Sequence, residues 1–239
     1  MGLRVLYGVS QFISIKWRMH MNKCIIFGLS CFSDLVANYI EAENQYEIIA
    51  YTVNEKYLKS NFYNGKPVIA FEKLPEIFDM SDIYLINTVG YSKMNSIREK
   101  IFEESKKMQF KIGSFISKKA VVYTSKKNIG VGNIILPSSH IGYNVHIGNN
   151  NIIFSGVNLT HEIEVGNNNF IASGTTVGGY VKIKNNCFLG MNSTIKNRIT
   201  LNDKTLVGAS AYIHKDSEKN GVYVPNRSIK LDKDSNFFI

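Results

Sequence analysis

His161 and Glu162 are the neighbouring side chains in this sequence best suited to moving a proton. An imidazole titrates near neutral pH, so it can take a proton from an attacking amine or hydroxyl and return it to a leaving group. A carboxylate beside it can select the useful tautomer or raise its basicity. Gly179 stands 18 residues further on. A glycine lets a ligand come close to the backbone, and a backbone N–H can stabilise an oxyanion. A base plus an oxyanion donor is the equipment of acyl transfer. By residue type alone a second reading stands beside it, in which His161 is a corner residue of a polar face.

Whether His161 and Gly179 meet depends on the elements that carry them. Every sixth residue from Ile129 to Ile213 is Ile, Leu or Val, without a miss. A period of six is neither the 3.6 of a helix nor the 2 of a flat strand. It fits a chain that bends after each short strand and points one aliphatic residue inward per bend. Three hexads close a triangular coil, so residues three hexads apart stack at ~4.8 Å, the sheet spacing. Gly follows the aliphatic residue at 130, 142, 148, 166, 178, 190 and 208, and Asn clusters at 149–151, 167–169 and 185–186. Both residue types tolerate tight bends. The sequence therefore predicts a β-solenoid in which His161 lies between Tyr143 and Gly179. Ser173, Met191 and Ala209 form a second ladder on a neighbouring face. That ladder reads equally as a groove for an extended ligand such as pantetheine or as ordinary wall.

The rest of the chain divides by pattern. Residues 1–20 read as an extension or a mis-assigned start, because Met21 precedes a strand-like run. Residues 21–112 alternate apolar runs with helical stretches, which argues for a small parallel α/β domain. The expected elements are strands at Cys24–Phe27, Tyr46–Val53 and Ile83–Val89, and helices at Ser33–Ala42 and Asn95–Phe110. The second helix should turn Ile97, Ile101 and Phe102 to one face. Residues 113–128 read as a transition out of register, 129–218 as the solenoid, and 219–239 as a cap and tail. The tail strand near Val222 would cover the open end of the solenoid. In the first domain Gly28-Leu29-Ser30-Cys31-Phe32-Ser33 lies between a strand and a helix. It is either a phosphate cradle or a plain turn, since it lacks the G-x-G-x-x-G pattern.

Bulk properties narrow the class. The formal charge is +9, from 28 Lys and Arg against 19 Asp and Glu. The lysines are scattered and no nucleic-acid motif is present, which argues against a nucleic-acid partner. A diffuse positive field suits small polyanions such as coenzyme A or nucleotide sugars. Three cysteines without metal-type spacing fit a reduced, cytoplasmic setting. No apolar run reaches the ~18 residues of a membrane span, so no membrane insertion is expected.

The hexads, the pair His161-Glu162 within Leu-Thr-His-Glu-Ile-Glu-Val-Gly, and the stretch 181–193 resemble the sugar acetyltransferases of the sialic-acid O-acetyltransferase type. The resemblance runs from about residue 23 to residue 231. It implies a small Rossmann-like sugar-binding domain followed by a left-handed parallel β-helix, assembled as a homotrimer with active sites between neighbouring helices. It also implies acetyl-CoA as co-substrate, no metal, and a nucleotide-linked sugar of bacterial surface-glycan synthesis as acceptor. On that resemblance His161 is the general base, Glu162 its supporting acid and Gly179 the oxyanion donor. Phe170, Met191 and Ala209 fall at acetyl-CoA-binding positions, and Ser30, Cys31 and Phe32 where the sugar loop meets the nucleotide-sugar. The bacillosamine-pathway members carry histidines where this chain has Phe170 and Phe32, and an acidic pair where it has Val53-Asn54.

Two other classes compete. A trimeric β-helix metal hydratase of the carbonic-anhydrase type needs three converging histidines; His140 and His146, one hexad apart, should lie on different faces. A non-catalytic assembly solenoid would not bind acetyl-CoA.

Overall fold

Cys24-Ile25-Ile26-Phe27 is an unbroken apolar run, the pattern of a parallel strand covered on both faces. In the computed structural model, which describes residues 21–226 together with 228, 230, 232 and 236, this run is the core of strand β1 (Lys23–Phe27). The reading of residues 1–20 lies outside the described residues, as does that of the tail at 227, 229, 231, 233–235 and 237–239. Helix α1 (Cys31–Ala42) follows, then β2 (Glu47–Val53), β3 (Phe62–Tyr63), β4 (Lys66–Ala70), the single turn α2 (Leu74–Ile77), β5 (Ile83–Asn87), α3 (Ser96–Lys107) and β6 (Lys111–Ile112). They form one six-stranded sheet in the order β3-β4-β2-β1-β5-β6, parallel except for the β3–β4 hairpin. Cys24 and Ile26 pack with Val36, Ala37 and Ile40 of α1. Ile25 and Phe27 pack on the other side with Phe71, Leu74 and Ile101.

Helix α3 differs from the sequence expectation. Its covered face is Arg98, Ile101, Phe102 and Ser105, while Ile97 is 39% exposed. Arg98 is fully buried and donates to the carbonyls of Gly90, Asn150, Asn168 and Asn169 and to Asn95 Oδ1, at 2.8–3.2 Å. Burial pushes its guanidinium down to about 9, against a smaller opposing pull from Glu99. Five oxygens around a planar fork keep the charge tolerable there. This side chain bolts the α/β sheet to the solenoid.

The solenoid is a triangular stack of two-residue strands. Its three walls hold six, four and seven strands. Strand partners are 18 residues apart through the body of the stack, as in Asn158↔Thr176, Glu164↔Lys182 and Phe170↔Phe188. The aliphatic register points inward: Ile141, Ile147, Ile153, Leu159, Val165, Ile171, Val177, Ile183 and Leu189 are all buried in one continuous core. Deleting one such side chain to Ala would cost about 2–5 kcal/mol.

Three corrections concern the bends and the ends. Residues 113–128 are not a transition, since Phe115–Ile116 and Val121–Val122 already pair with Ile134–Ile135 and His140–Ile141. Their partners are 19 residues apart because one extra residue is absorbed near the 3-10 turn Lys126–Asn128, before Ile129 bridges Ile147. The left-handed backbone position of each bend falls three residues after the aliphatic one, at Asn144, Asn150, Gly156, Glu162, Asn168, Gly174, Tyr180, Asn186, Asn192 and Arg198. The glycines directly after the aliphatic residues serve close approach instead: a Cβ on Gly142 would collide with the Thr160 carbonyl of the next coil. At the far end, Val222–Tyr223 does not lie across the opening. It continues one wall beside Leu206–Val207, and Tyr223 packs against the aliphatic core.

Candidate active site

The corner that follows the six-stranded wall carries Tyr143-Asn144, His161-Glu162, Gly179-Tyr180 and Asn197-Arg198 in successive coils. The bend requires the backbone to reverse here, so these side chains project from a ridge, and Tyr143, His161 and Tyr180 are exposed. The His161 ring lies directly over Gly179. A Cβ added to Gly179 would come 2.5 Å from Nε2 and 2.9 Å from Nδ1, so only glycine fits beneath the imidazole. The Gly179 N–H has no hydrogen-bond partner among the described residues, whereas Gly178 N–H donates to Ile195 O at 2.9 Å and Tyr180 N–H to His161 O at 3.2 Å. An imidazole and an open amide in contact are what a base and an oxyanion donor require.

Glu162 is placed differently from the expected support. Its backbone is left-handed (φ +54°), and its carboxylate accepts from Asn144 Nδ2 of the coil before at 2.5 Å. Asn144 Oδ1 in turn lies 3.2 Å from His146 Nε2. No hydrogen bond joins Glu162 to the His161 ring among the described residues. The ring instead meets Tyr180, whose outer face carries the Arg198 guanidinium. Tyr180 and Arg198 were missed in the sequence, although counting 18 from Glu162 reaches both.

The other proposed positions fall in two further places. Met191 and Ala209 stack in successive coils at the neighbouring corner, and their amides likewise have no partner among the described residues. Met191 is 58% exposed. Phe170 sits elsewhere, buried in an aromatic ladder with Phe154 (5.2 Å) and Phe188 (5.4 Å) on the wall that faces the α/β sheet. Phe32 joins that ladder by stacking on Phe154 at 5.3 Å. Ser30 caps α1 in a reciprocal pair with Ser33, at 3.1 and 3.3 Å, and Cys31 opens the helix, exposed. Gly28, with φ +129°, leaves room for the Ser33–Thr88 hydroxyl pair that ties the first turn of α1 to the end of β5. The loop is thus a built turn beside the solenoid wall. Within one chain it does not reach the His161 corner by any contact described.

Other reactive groups are accounted for by burial or separation. Burial pushes the Cys24 and Cys187 thiols up to about 12, which leaves them protonated at neutral pH. His140 and His146 lie on different walls. Among the described residues no group of three His, Cys, Asp or Glu side chains could hold a metal ion, and no helix is long and apolar enough to cross a membrane.

The stacked parallel strands are those of a left-handed β-helix. No protein-family model matches the chain, and no curated protein matches its sequence. Solved structures do. The acetyltransferase domain of PglB from Neisseria gonorrhoeae superposes with a TM-score of 0.75 at 20% identity, covering 88% of this chain and 100% of that one. PerB from Caulobacter crescentus, in complex with CoA and GDP-perosamine, gives 0.74 at 20% identity, covering 85% and 94%. WeeI from Acinetobacter baumannii gives 0.61 at 17% identity, covering 84% and 96%. At these identities the likeness establishes the fold.

Proposed function

We propose that the protein is an acetyl-CoA-dependent acetyltransferase acting on the amino group of a nucleotide-linked sugar. The observation that carries this is the His161 imidazole resting on Gly179, whose N–H is open. The neighbours of the same fold support it: the PglB domain is also known with acetyl coenzyme A, and the Caulobacter protein is described as a perosamine N-acetyltransferase, with histidine mutants of it studied alongside CoA and GDP-perosamine.

In the reaction, His161 takes a proton from the sugar amine as its nitrogen attacks the thioester carbonyl. The new C–N bond makes a tetrahedral oxyanion, which Gly179 N–H stabilises. The C–S bond then breaks, and the imidazolium returns its proton to the departing CoA sulfur. Met191 and Ala209 would contact the pantetheine arm through their main chain. The α/β domain, read as Rossmann-like over residues 21–112, would hold the nucleotide-sugar through the turn at Ser30, Cys31 and Phe32. Phe170 is buried in the aromatic ladder that runs through Phe154 to Phe32, so it backs the site as packing and makes no direct acetyl-CoA contact within one chain.

His161 stands on an exposed ridge and does not line the concavities described for the single chain. One, of about 540 Å³, opens between α3 and Asn149, Asn167 and Asn185. A ridge needs a second surface to enclose a substrate, which supports a homotrimer with each site between two copies. The three cysteines Cys24, Cys31 and Cys187, without metal-type or paired spacing, support the reading of a cytoplasmic protein.

The test is a transfer assay with acetyl-CoA against a panel of nucleotide-linked amino sugars, following CoA release, with thermal shift as a second readout. Acetyl-CoA at 100 times its Kd should stabilise the fold by about 2.7 kcal/mol. No stabilisation by acetyl-CoA and no release of CoA with any sugar would refute the reading.

A further inference from the structure

Three successive coils at the His161 corner place Glu162, Tyr180 and Arg198 at the left-handed position of the bend, with φ of +54°, +61° and +62°. The other two corners fill that position mostly with residues suited to it: Asn150, Asn168 and Asn186 at one, Gly156, Gly174 and Asn192 at the other. A left-handed backbone crowds Cβ against the following carbonyl oxygen, and a bulky side chain gains nothing locally in return. Asn144 fills the position one coil earlier and Ser138, Lys204 and Ser210 fill it singly at the other corners, but three large side chains in succession occur at this corner, and such a run points to use. Tyr180 is the bulkiest of the three.

Its surroundings say what that use is. The Tyr180 ring meets the His161 imidazole at a centroid distance of 5.3 Å and an interplanar angle of 88°. The Arg198 guanidinium carbon lies 4.7 Å from the Tyr180 centroid. The imidazole takes no hydrogen bond from any described residue, and the carboxylate next to it is occupied by Asn144. Its direction is therefore set by packing alone, between the Gly179 backbone and the Tyr180 ring.

We propose that Tyr180, clamped by Arg198, is the positioning residue that holds the His161 imidazole over Gly179. The proposal rests on the acetyl-transfer reading of this corner and adds how the base is aimed without a hydrogen-bonded carboxylate. The aromatic ring carries the role and the phenol hydroxyl does not. Removing the ring frees the imidazole to leave Gly179, so fewer complexes have base and amine aligned.

Two substitutions in the full chain separate this from a structural role. Tyr180→Phe should match the wild type. Tyr180→Asn places a residue that favours the left-handed backbone, so its melting temperature should equal or exceed that of the wild type. Its kcat should nonetheless fall about tenfold to a hundredfold, with KM for acetyl-CoA and sugar changed by less than about twofold. A readout independent of turnover is the nuclear Overhauser contact between the His161 ring protons and the Gly179 α-protons. It should be present in the wild type and Tyr180→Phe and lost in Tyr180→Asn. Wild-type kcat in Tyr180→Asn, or persistence of the Overhauser contact there, overturns the proposal. A wild-type protein that transfers no acetyl group sinks the function, while the Overhauser contrast still decides the positioning role.

Discussion

Two corners of the same triangle solve the same bend in opposite ways. At the asparagine corner, the amides of Asn149, Asn167 and Asn185 each donate to the side chain one coil below, at 2.8–2.9 Å. Asn133, Asn151 and Asn169 run a second ladder alongside, which ends at the Cys187 amide. The donors at 149, 167 and 185 are met, the left-handed positions of those coils are Asn150, Asn168 and Asn186 with Lys204 beyond them, and Arg98 locks the outside. At the His161 corner the equivalent Gly179 amide has no partner among the described residues, and after Asn144 the left-handed positions hold Glu162, Tyr180 and Arg198. A left-handed L-residue costs roughly 1–2 kcal/mol where no local hydrogen bond helps it. The contrast teaches that the scaffold can satisfy its bends and does so on one side. Unsatisfied donors and conformational cost are concentrated where chemistry is proposed.

The sharpest way to break this comparison is His161→Ala. Because the side chain is exposed and bears no structural hydrogen bond, turnover should drop about 10²–10⁴-fold, with stability changed by less than about 0.5 kcal/mol. CoA release and a melting curve on one preparation check both halves. The mirror experiment is Arg98→Ala at the asparagine corner. It strands the carbonyls of Asn150 and Asn168 and should lower unfolding free energy by roughly 3–5 kcal/mol in urea titration. Turnover per folded molecule should stay near wild type, and a selective loss of kcat would mean the corners are not separable.

Gly179→Ala is the intermediate case, since its methyl would displace the imidazole and a shift of ~1 Å can cost about a hundredfold in rate. Unchanged kcat would show that base and amide need not touch. The smallest effect is a pH dependence remote from both corners. Burial opposes ionisation of Glu43, but hydrogen bonds from Ser117, the Lys118 amide and Gln45 outweigh it and hold its carboxyl below the ordinary value. Its stabilising contribution is therefore complete above the usual glutamate range and lost as pH falls through the lowered value. Glu43→Gln should flatten the acid limb of the stability curve. An unaltered limb would remove Glu43 from the join between α1 and the first coil.

The solenoid was legible because its physics is periodic: one inward aliphatic residue per hexad is a signal carried by single residues. Alignment of His161 with Gly179 followed from the same count. What escaped depends on contacts without a period. Arg98 reads as a solvated helix charge beside Ile97, and only the carbonyls of a distant bend reveal why the arginine is buried and the isoleucine is not. The single extra residue in the first coil puts the strand-like Ile116, Val121 and Val122 out of register, so their place in the stack reads as a transition. Phe32 and Phe170, 138 positions apart in the sequence, come to one aromatic ladder only after the α/β sheet docks on the wall. The strands Phe62–Tyr63 and Lys111–Ile112 are too short to leave a pattern.

The 18-residue register also sets which insertions and deletions this chain can inherit. Removing one hexad between His161 and Gly179 would leave the aliphatic spine intact yet rotate everything downstream by a third of a turn. The glycine would pass to a different edge of the prism from its histidine. Removing three hexads shortens the prism by one storey and restores every edge. Length variation in such a chain is thus quantised: whole coils can be gained or lost beyond the working storey, whereas a single lost hexad spares the aliphatic spine but breaks the asparagine ladders and the aromatic wall as well as the His161–Gly179 contact.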